Sequence, residues 1–133
     1  MDVFTVQKRS EIMSRIRSKN TLLEKTIFRL LKSNKIYFTS HYNKLPGKPD
    51  IVFIRKKKAV FIDGDFWHGW NFKKRETRLP EKWAIKISRN IKRDRKTRQL
   101  IRDEGWEILR LWEHEIEKNP QKAFQKIVRF IQI

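Results

Sequence analysis

The sequence predicts an α/β fold in which helices flank a mixed four-strand β-sheet. Four short runs rich in β-branched and aromatic residues are typical of strands, and longer segments with helical spacing of apolar residues surround them. The predicted element order is α-α-β-β-β-α-β-α. A strand, a long helix and another strand in succession indicate a parallel crossover, so the sheet should contain both parallel and antiparallel pairs.

The N-terminal part of the chain is predicted to contain two helices and a strand. Residues 7–16 form a short basic amphipathic segment, and residues 20–34 form a helix with an apolar stripe. Thr21 and Glu24 have the spacing of a capping box, which favours a helix start at this point. Residues 35–42, KIYFTSHY, are typical of a strand.

The rest of the chain is predicted to form a hairpin, a long helix, a strand and a last helix. Strands 50–54 and 59–63 are joined by four basic residues. A long helix is expected over residues 81–103, since a proline precedes it and a glycine follows it. Residues 106–112 are typical of a fourth strand, and Pro120 starts an amphipathic helix.

We interpret residues 1–133 as one domain. The charge balance of this domain indicates a polyanionic partner. The chain carries 33 Lys and Arg against 15 Asp and Glu, a formal net charge of +18. Such self-repulsion opposes folding, and nucleic acid is the usual partner of a strongly basic domain. A solubility surface or a membrane-surface binder is the alternative. Residues 1–20 are the basic segment expected to contact the nucleic acid.

Composition also favours a soluble protein of the cytoplasm. The chain contains no cysteine, which fits a reducing compartment. Its start, MDVFTVQKRSEIM, lacks the apolar core of a signal peptide. No apolar run approaches the roughly 18 residues of a membrane span, and we expect no membrane partner.

Two carboxylates are predicted to oppose each other at the open end of the hairpin. If Ile54 lies opposite Ala59, Asp50 lies opposite Asp63, and both side chains share one face. Opposed Cβ atoms lie about 4.5–5.5 Å apart, so two ionised carboxylates there repel each other. A cation such as Mg²⁺ would relieve the repulsion; pairing with basic neighbours such as Lys48 is the alternative.

The segment LPGKPD precedes the first strand of the hairpin. Pro49 should hold Lys48 in an extended conformation. A Pro-Asp pair at a strand start, with an acid late in the next strand, resembles the nuclease core written PD-(D/E)xK. The match is partial, because the second half reads Asp63-Gly-Asp65 and lacks the lysine.

His68 and Asp94 are candidates for an acid–base pair. Asp94 falls on the apolar face of the long helix, between Ile91 and Arg98, and an inward carboxylate needs a partner. His68 would be oriented and its charged form stabilised by such a contact. Arg98, one turn further along the helix, is the alternative partner.

Together these segments resemble the very-short-patch repair (Vsr) endonucleases, which nick DNA at T:G mismatches. The resemblance covers about Lys8 to Trp112. It rests on KRSEIMSRIRSKNT, Glu24, LPGKPDIVF, VFIDGDFWHG, KISRNIKRDR and GWEILRLWE. It implies a restriction-endonuclease-like fold with a PD-(D/E)xK core. It also implies phosphodiester cleavage that depends on Mg²⁺ or Mn²⁺.

The resemblance assigns catalytic roles to particular residues. Asp50 matches the metal-binding aspartate, and Ile62 stands where a backbone carbonyl also reaches the metal. His68 matches the general base and Asp94 its supporting acid. Glu24 matches a catalytically important glutamate.

The chain departs from the best-known members of that family at two places. Asp63 replaces a histidine, which would give a second carboxylate at the metal. The family's structural zinc ligands, three cysteines and a histidine, correspond here to Asp65, Trp70, Phe72 and His114. We therefore expect no zinc, an apolar cluster of the two aromatic residues in its place, and a hydrogen bond between Asp65 and His114.

Two kinds of DNA contact are expected, the first implied by the resemblance and the second by the basic residues. Met13, Phe66 and Trp67 match residues that insert into the base stack beside the mismatch; packing of the two aromatic residues in the core is the alternative. Unstacking costs a few kcal/mol per base step, and a mismatched site is already weakened. The residues expected to contact phosphates are Lys8, Arg9, Arg15, Arg17, Lys19, Lys48, Lys73, Lys74 and Arg75.

The prediction that follows is a Mg²⁺-dependent endonuclease that nicks duplex DNA beside a T:G mismatch, acting as a monomer. One alternative is a homing-type or restriction-type nuclease that cuts matched duplexes. A second is a DNA-binding module with a vestigial site. A third is an RNA-binding protein that stacks bases on Phe66, Trp67 and Trp70. The sequence leaves open which mismatch is read, whether one strand or both are cut, and whether other repair proteins recruit the enzyme.

Overall fold

The fold is a four-strand sheet with helices on both faces. A computed structural model describes residues 5–132, apart from the side chains of residues 18–20. Single 3₁₀ turns lie at Ile54–Lys56 and Glu76–Arg78. The helices and strands are α1 (Val6–Ser33), β1 (Thr39–Ser40), β2 (Ile51–Phe53), β3 (Lys58–Asp63), α2 (Phe72–Arg75), α3 (Glu81–Asp103), β4 (Glu107–Trp112), α4 (Glu113–Lys118) and α5 (Pro120–Gln132).

The sheet topology agrees with the predicted class. The strand order is β1-β2-β3-β4, with antiparallel pairing along β1-β2-β3 and parallel pairing between β3 and β4. The helix α3 connects the two parallel strands and has the predicted bounds. The mixed four-strand sheet and the parallel crossover are therefore confirmed.

Two hydrophobic clusters hold the helices on the sheet. Alternate residues of β2 and β3, Ile51 and Val60 among them, pack on one face against α1, α4 and α5. Their neighbours Val52 and Ala59 pack on the other face with Ile101 of α3. Burial of a large aliphatic side chain contributes about 1.5–3 kcal/mol. The sheet is therefore covered on both faces, and α3 lies on the face opposite to α1.

The two predicted N-terminal helices are one. The helix α1 begins after Thr5, whose side chain accepts a hydrogen bond from the backbone N–H of Lys8 at 3.0 Å. Thr21 lies in the helix interior, where its hydroxyl donates to the carbonyl of Arg17 at 3.0 Å. The capping box was therefore a wrong prediction, and no proline or glycine interrupts the helix at this point. Glu24 is left free of a capping role.

Two other local predictions, the length of the first strand and the extended conformation of Lys48, are wrong, and one short helix was missed. The first strand is limited to Thr39–Ser40, since Lys35 and His41 on either side adopt positive φ angles of 57° and 50°. The short helix α4, directly after β4, was not predicted. Lys48 is not extended, since its φ of 47° lies in the left-handed region, as does that of the preceding Gly47.

The register of the hairpin differs by two residues from the predicted one. Val52 pairs with Ala59, whereas the prediction sets Ile54 against Ala59. The difference arises because a 3₁₀ turn begins at Ile54 and shortens β2. An even shift leaves Asp50 and Asp63 on the same face but not directly opposed.

Among the described residues, no helix is both long and apolar enough to span a membrane.

Candidate active site

Four of the five predicted catalytic residues line one cleft of about 410 Å³. The hairpin contributes Asp50 and Asp63, the segment after β3 contributes His68, and α3 contributes Asp94. The fifth residue, Glu24, lies on α1 and interacts with Asp50. The fold thus collects four carboxylates and an imidazole that are far apart in the sequence.

Asp50 lies at the centre of this arrangement. Its carboxylate accepts a hydrogen bond from the backbone N–H of Ile62 at 2.7 Å. Burial, followed by the charge and hydrogen bond of Glu24 and the charge of Asp63, raises the pKa of Asp50 to about 7, although the Ile62 N–H opposes the shift. A cation at this carboxylate would offset the repulsion among the acids. The predicted metal contact of the Ile62 carbonyl stays a prediction.

A group of three potential metal ligands forms on the α1 side of Asp50. Ligand atoms of Glu24, His41 and Asp50 all lie within 4.8 Å of one another. The imidazole Nε2 of His41 is 2.8 Å from the Glu24 carboxylate. Two carboxylates and one imidazole are a suitable donor set for a divalent cation. Sequence reasoning missed His41, because the strand that positions it is only two residues long.

The carboxylate of Asp63 is engaged by two arginines. Arg98 lies 2.7 Å and 2.9 Å from its two oxygens, and the Nε of Arg110 lies 2.6 Å from one of them. Asp63 is only 2% exposed, so these cations neutralise a buried charge. The pairing argues against the predicted metal-ligand role of Asp63 and favours the alternative in which basic side chains neutralise it.

His68 and Asp94 make the predicted contact. The imidazole Nδ1 lies 2.6 Å from the Asp94 carboxylate and 3.6 Å from that of Asp63. Burial raises the pKa of Asp94, but the hydrogen bond and charge of His68, with the charges of Arg98 and Arg93, outweigh it and lower the pKa below the ordinary value. An Nδ1–H that donates to Asp94 leaves Nε2 as the basic nitrogen. Arg98 pairs with Asp63 instead.

The segment that carries His68 is fixed by a hydrogen bond within it and by contacts to α3. The backbone N–H of His68 donates to the carbonyl of Gly64 at 3.2 Å, and the side-chain amide of Asn90 donates to the carbonyl of Trp67 at 3.1 Å. Gly69 has a φ of 84°, and a Cβ there would lie 2.6 Å from Cγ1 of Ile91. These supporting contacts were not predicted from the sequence.

The aromatic pair beside His68 is partly buried rather than exposed. Phe66 and Trp67 form a cluster with Trp83 of α3, with ring centroids 4.7–5.8 Å apart. Lys86 lies over the Trp67 ring at 4.5 Å. Within the described part of the chain, the buried Nε1 of Trp67 has no hydrogen-bond partner. Met13, on α1, is also partly buried.

The positions that match the family's zinc ligands form a polar and aromatic cluster. The ring of His114 lies 3.0 Å from the Asp65 carboxylate, so the predicted contact is confirmed. The indole of Trp70 packs on the same imidazole at 4.5 Å. The backbone N–H of Asp65 donates to Glu113 at 2.9 Å. Phe72 is partly buried at the start of α2.

The predicted phosphate-binding residues fall on two helices and one turn. On α1, Lys8, Arg15 and Arg17 are exposed, Arg9 is partly buried, and the side chain of Lys19 lies outside the described part. On the turn, Lys48 is exposed and lines the cleft. On α2, Lys73 and Lys74 are exposed. Arg75 instead donates to the carbonyls of Trp70, Asp65 and Phe66, and burial lowers its pKa.

Comparison with known proteins adds independent evidence. The sequence model of the family described as DNA mismatch endonuclease Vsr matches residues 1–74, more than half of the chain. The type II nicking enzyme V.NmeDIP of Neisseria meningitidis is 33% identical over 130 residues, which is 96% of this chain and 88% of that protein. V.XorIIP of Xanthomonas oryzae is 36% identical over 119 residues, 86% of each chain. The DNA mismatch endonuclease Vsr of Escherichia coli is 35% identical over 115 residues, 84% of this chain and 73% of that protein.

These matches identify the chain as a DNA endonuclease. It belongs to the Vsr family of DNA mismatch endonucleases. The resemblance carried by the sequence motifs is therefore confirmed.

Proposed function

We propose that this protein is a divalent-metal-dependent endonuclease with a restriction-endonuclease-like core, which nicks one strand of duplex DNA beside a mispaired base. The observation that carries the proposal is the His68–Asp94 contact at 2.6 Å in the cleft that Asp50 lines. The reported relatives, two nicking enzymes and one mismatch endonuclease, support the single-strand reaction. T:G is the first candidate mismatch.

In the proposed mechanism, His68 removes a proton from the attacking water through Nε2. Asp94 holds the ring through Nδ1 and stabilises the imidazolium that results. Asp50 and Glu24 would hold the cation, which polarises the scissile phosphate when bound. Arg98 and Arg110 keep the Asp63 charge neutralised beside the dyad.

The aromatic cluster is proposed to act as the wedge. Phe66, Trp67 and Trp83 contact one another next to His68 in the chain and lie outside the two main core clusters. The Nε1 of Trp67 has no hydrogen-bond partner among the residues that the structure describes, so this side chain gives up no hydrogen bond to them when it moves into DNA. Because a mismatch is already poorly stacked, insertion there costs less than in a matched duplex. Met13 is proposed as a third wedge residue.

A nicking assay tests the function. End-labelled duplexes, one matched and one with each single mismatch, are incubated with Mg²⁺, Mn²⁺ or EDTA. Metal-dependent nicks confined to T:G duplexes are expected from the wild type and are expected to be absent from Asp50→Asn and His68→Gln. Cleavage of matched duplexes would move the protein to the homing or restriction class. Binding without any cleavage would favour a vestigial site.

We also propose that the enzyme acts as a monomer in the cytoplasm and needs no structural zinc. The Asp65–His114 contact and the packed Trp70 ring support the second point, because they occupy the positions that correspond to the family's zinc ligands. Elemental analysis of purified protein should find less than one zinc per chain. Stoichiometric zinc would contradict this proposal.

A further inference from the structure

We infer that His41 is a third ligand of the cation at Asp50 and Glu24, and that the site prefers a divalent first-row transition ion such as Mn²⁺ over Mg²⁺. The inference rests on the proposed metal-dependent function, which it makes more specific. It assigns a ligand that lies outside the cleft of the His68–Asp94 dyad.

The backbone sets His41 beside Asp50. In the β1-β2 pair, Thr39 lies opposite Val52 and Ser40 opposite Ile51. The same register, continued by one residue, sets His41 opposite Asp50, and the N–H of His41 donates to the carbonyl of Asp50 at 3.1 Å. The φ of 50° at His41 departs from strand geometry, but the ligand atoms of His41 and Asp50 lie within 4.8 Å of each other.

The side chain of His41 is held toward Glu24. Its φ of 50° turns the chain after β1, its ring meets the edge of Phe28 at 5.9 Å, and its Nε2 lies 2.8 Å from the Glu24 carboxylate. The three donors thus come from α1, the residue after β1 and the residue before β2. His41 remains 59% exposed, so water and a cation have access to it.

The spacing of the donors suits a small cation. Ligand atoms bound to one ion at about 2.0–2.2 Å lie no more than roughly 4.4 Å apart. The ligand atoms of Glu24, His41 and Asp50 all lie within 4.8 Å of one another, so one ion can contact all three after a small movement. Side-chain rotation of the exposed imidazole supplies that movement.

The nitrogen donor determines the preference. Mg²⁺ favours an octahedral shell of oxygens and keeps several waters. Imidazole is a better ligand for transition ions, whose affinity for mixed nitrogen and oxygen sites rises from Mn²⁺ through Co²⁺ to Ni²⁺. A site with two carboxylates alone would suit Mg²⁺, so His41 is the group that changes the selectivity.

The test measures cation binding by the full chain without DNA. Mg²⁺, Mn²⁺ and Co²⁺ are titrated by calorimetry into the wild type, His41→Gln, Asp50→Asn and the control His114→Gln. His114 also contacts a carboxylate, that of Asp65 at 3.0 Å, but belongs to a different cluster. His41→Gln should lose about tenfold or more in Mn²⁺ and Co²⁺ affinity, and much less in Mg²⁺ affinity, so that the Mn²⁺ preference falls. His114→Gln should bind as the wild type does.

A spectroscopic readout identifies the ligand directly. The chain has three histidines, so the nitrogen coupling in the electron paramagnetic resonance of bound Mn²⁺ should disappear in His41→Gln and persist in His68→Gln and His114→Gln. Circular dichroism and thermal melts check that each variant is folded. Unchanged Mn²⁺ affinity and coupling in His41→Gln would overturn the inference while leaving Asp50 as a ligand. Unchanged affinity in Asp50→Asn would instead overturn the proposed metal site.

Discussion

At the scale of single residues, Asp50 is the proposed metal ligand, and its ionised form destabilises the folded protein when no cation is bound. Its carboxyl is buried among Glu24 and Asp63, and its pKa is raised from 3.8 to about 7. Without a cation, the folded protein therefore binds a proton that the unfolded chain releases at a lower pH. Stability should fall as the pH rises from about 4 to 7 and stay low above that range, because the unfolded state binds fewer protons there.

Asp50→Asn should remove this penalty. The amide oxygen can still accept the hydrogen bond of the Ile62 N–H, and no ionised group remains to face Glu24. In EDTA we expect the variant to be more stable than the wild type by on the order of 1–2 kcal/mol at pH 8, and equal to it near pH 4. Denaturant unfolding across this range measures the difference. Mn²⁺ should stabilise only the wild type.

A matched control separates this effect from a general loss of negative charge. Asp103 is an exposed carboxylate on α3 that accepts a hydrogen bond from Gln99 at 2.9 Å. Asp103→Asn should leave the pH profile of the wild type unchanged. A flat wild-type profile between pH 4 and 8 would contradict the raised pKa of Asp50.

Asp94→Asn should uncouple catalysis from binding. An amide can donate to Nδ1 of His68 and so favour the tautomer with the proton on Nε2, which cannot act as a base. We expect the single-turnover nicking rate to fall about 10²–10⁴-fold, with the Kd for duplex DNA unchanged. Asp103→Asn on the same helix should nick normally. An equal loss of binding and rate would indicate a structural role for Asp94.

At the scale of elements, α3 aligns the site. It packs on the sheet through Ile101 and carries Asp94 and Arg98 on the same face. The segment after β3 then fits against it at Gly69. The positions of α3 and of the segment after β3 are therefore coupled, and the geometry of that segment depends on the absence of a side chain at Gly69.

A pair of glycine substitutions tests this coupling. Gly69 and Gly105 both have positive φ, 84° and 90°. A Cβ would meet Ile91 at Gly69, whereas at Gly105 it would meet no atom of the described residues within 4 Å. Gly→Ala at either position should cost about 1–2 kcal/mol for the backbone conformation. Gly69→Ala should lower the free energy of unfolding by about a further 1–3 kcal/mol, because its Cβ overpacks against Ile91, and it should slow nicking. Gly105→Ala should leave nicking intact; equal effects of the two substitutions on both readouts would refute the coupling.

The elements also show where sequence reasoning succeeds. The bounds of α3 were predictable because Pro80 and Gly105 delimit a long apolar stripe. That stripe also turned Asp94 inward, which led to the contact with His68. A helical period of 3.6 residues is thus strong enough to predict one contact of the site.

The failures have a different physical origin. The hairpin register depends on the turn that begins at Ile54, and the apolar periodicity of the sequence does not predict the geometry of that turn. The partners of Asp63 come from α3 and β4, and only the tertiary fold sets Arg98 and Arg110 against it. His41 was missed for the same reason, because a two-residue strand, a backbone hydrogen bond to Asp50 and the contact with Glu24 together set its position.

At the scale of the whole molecule, the net charge of +18 should make DNA binding strongly salt-dependent. The logarithm of the binding constant falls with the logarithm of salt concentration by about 0.9 for each phosphate neutralised. The position of the lysines matters as well as their number. Lys73 and Lys74 on α2 follow the aromatic cluster in the chain, whereas Lys56 and Lys57 lie in the turn at the opposite end of the hairpin from Asp50.

The two lysine pairs therefore make a matched comparison. Lys73→Gln with Lys74→Gln should reduce the salt slope of duplex binding by about 1.8 if both contact phosphates. Lys56→Gln with Lys57→Gln removes the same charge and should leave the slope nearly unchanged. Fluorescence anisotropy with a labelled duplex between about 50 and 300 mM salt measures both slopes. If the two double variants shift the slope equally, the net charge attracts DNA from all directions, and α2 does not define the binding face. If only the α2 pair shifts it, DNA lies along α2 next to Phe66 and Trp67, where the proposed wedge can reach the base stack.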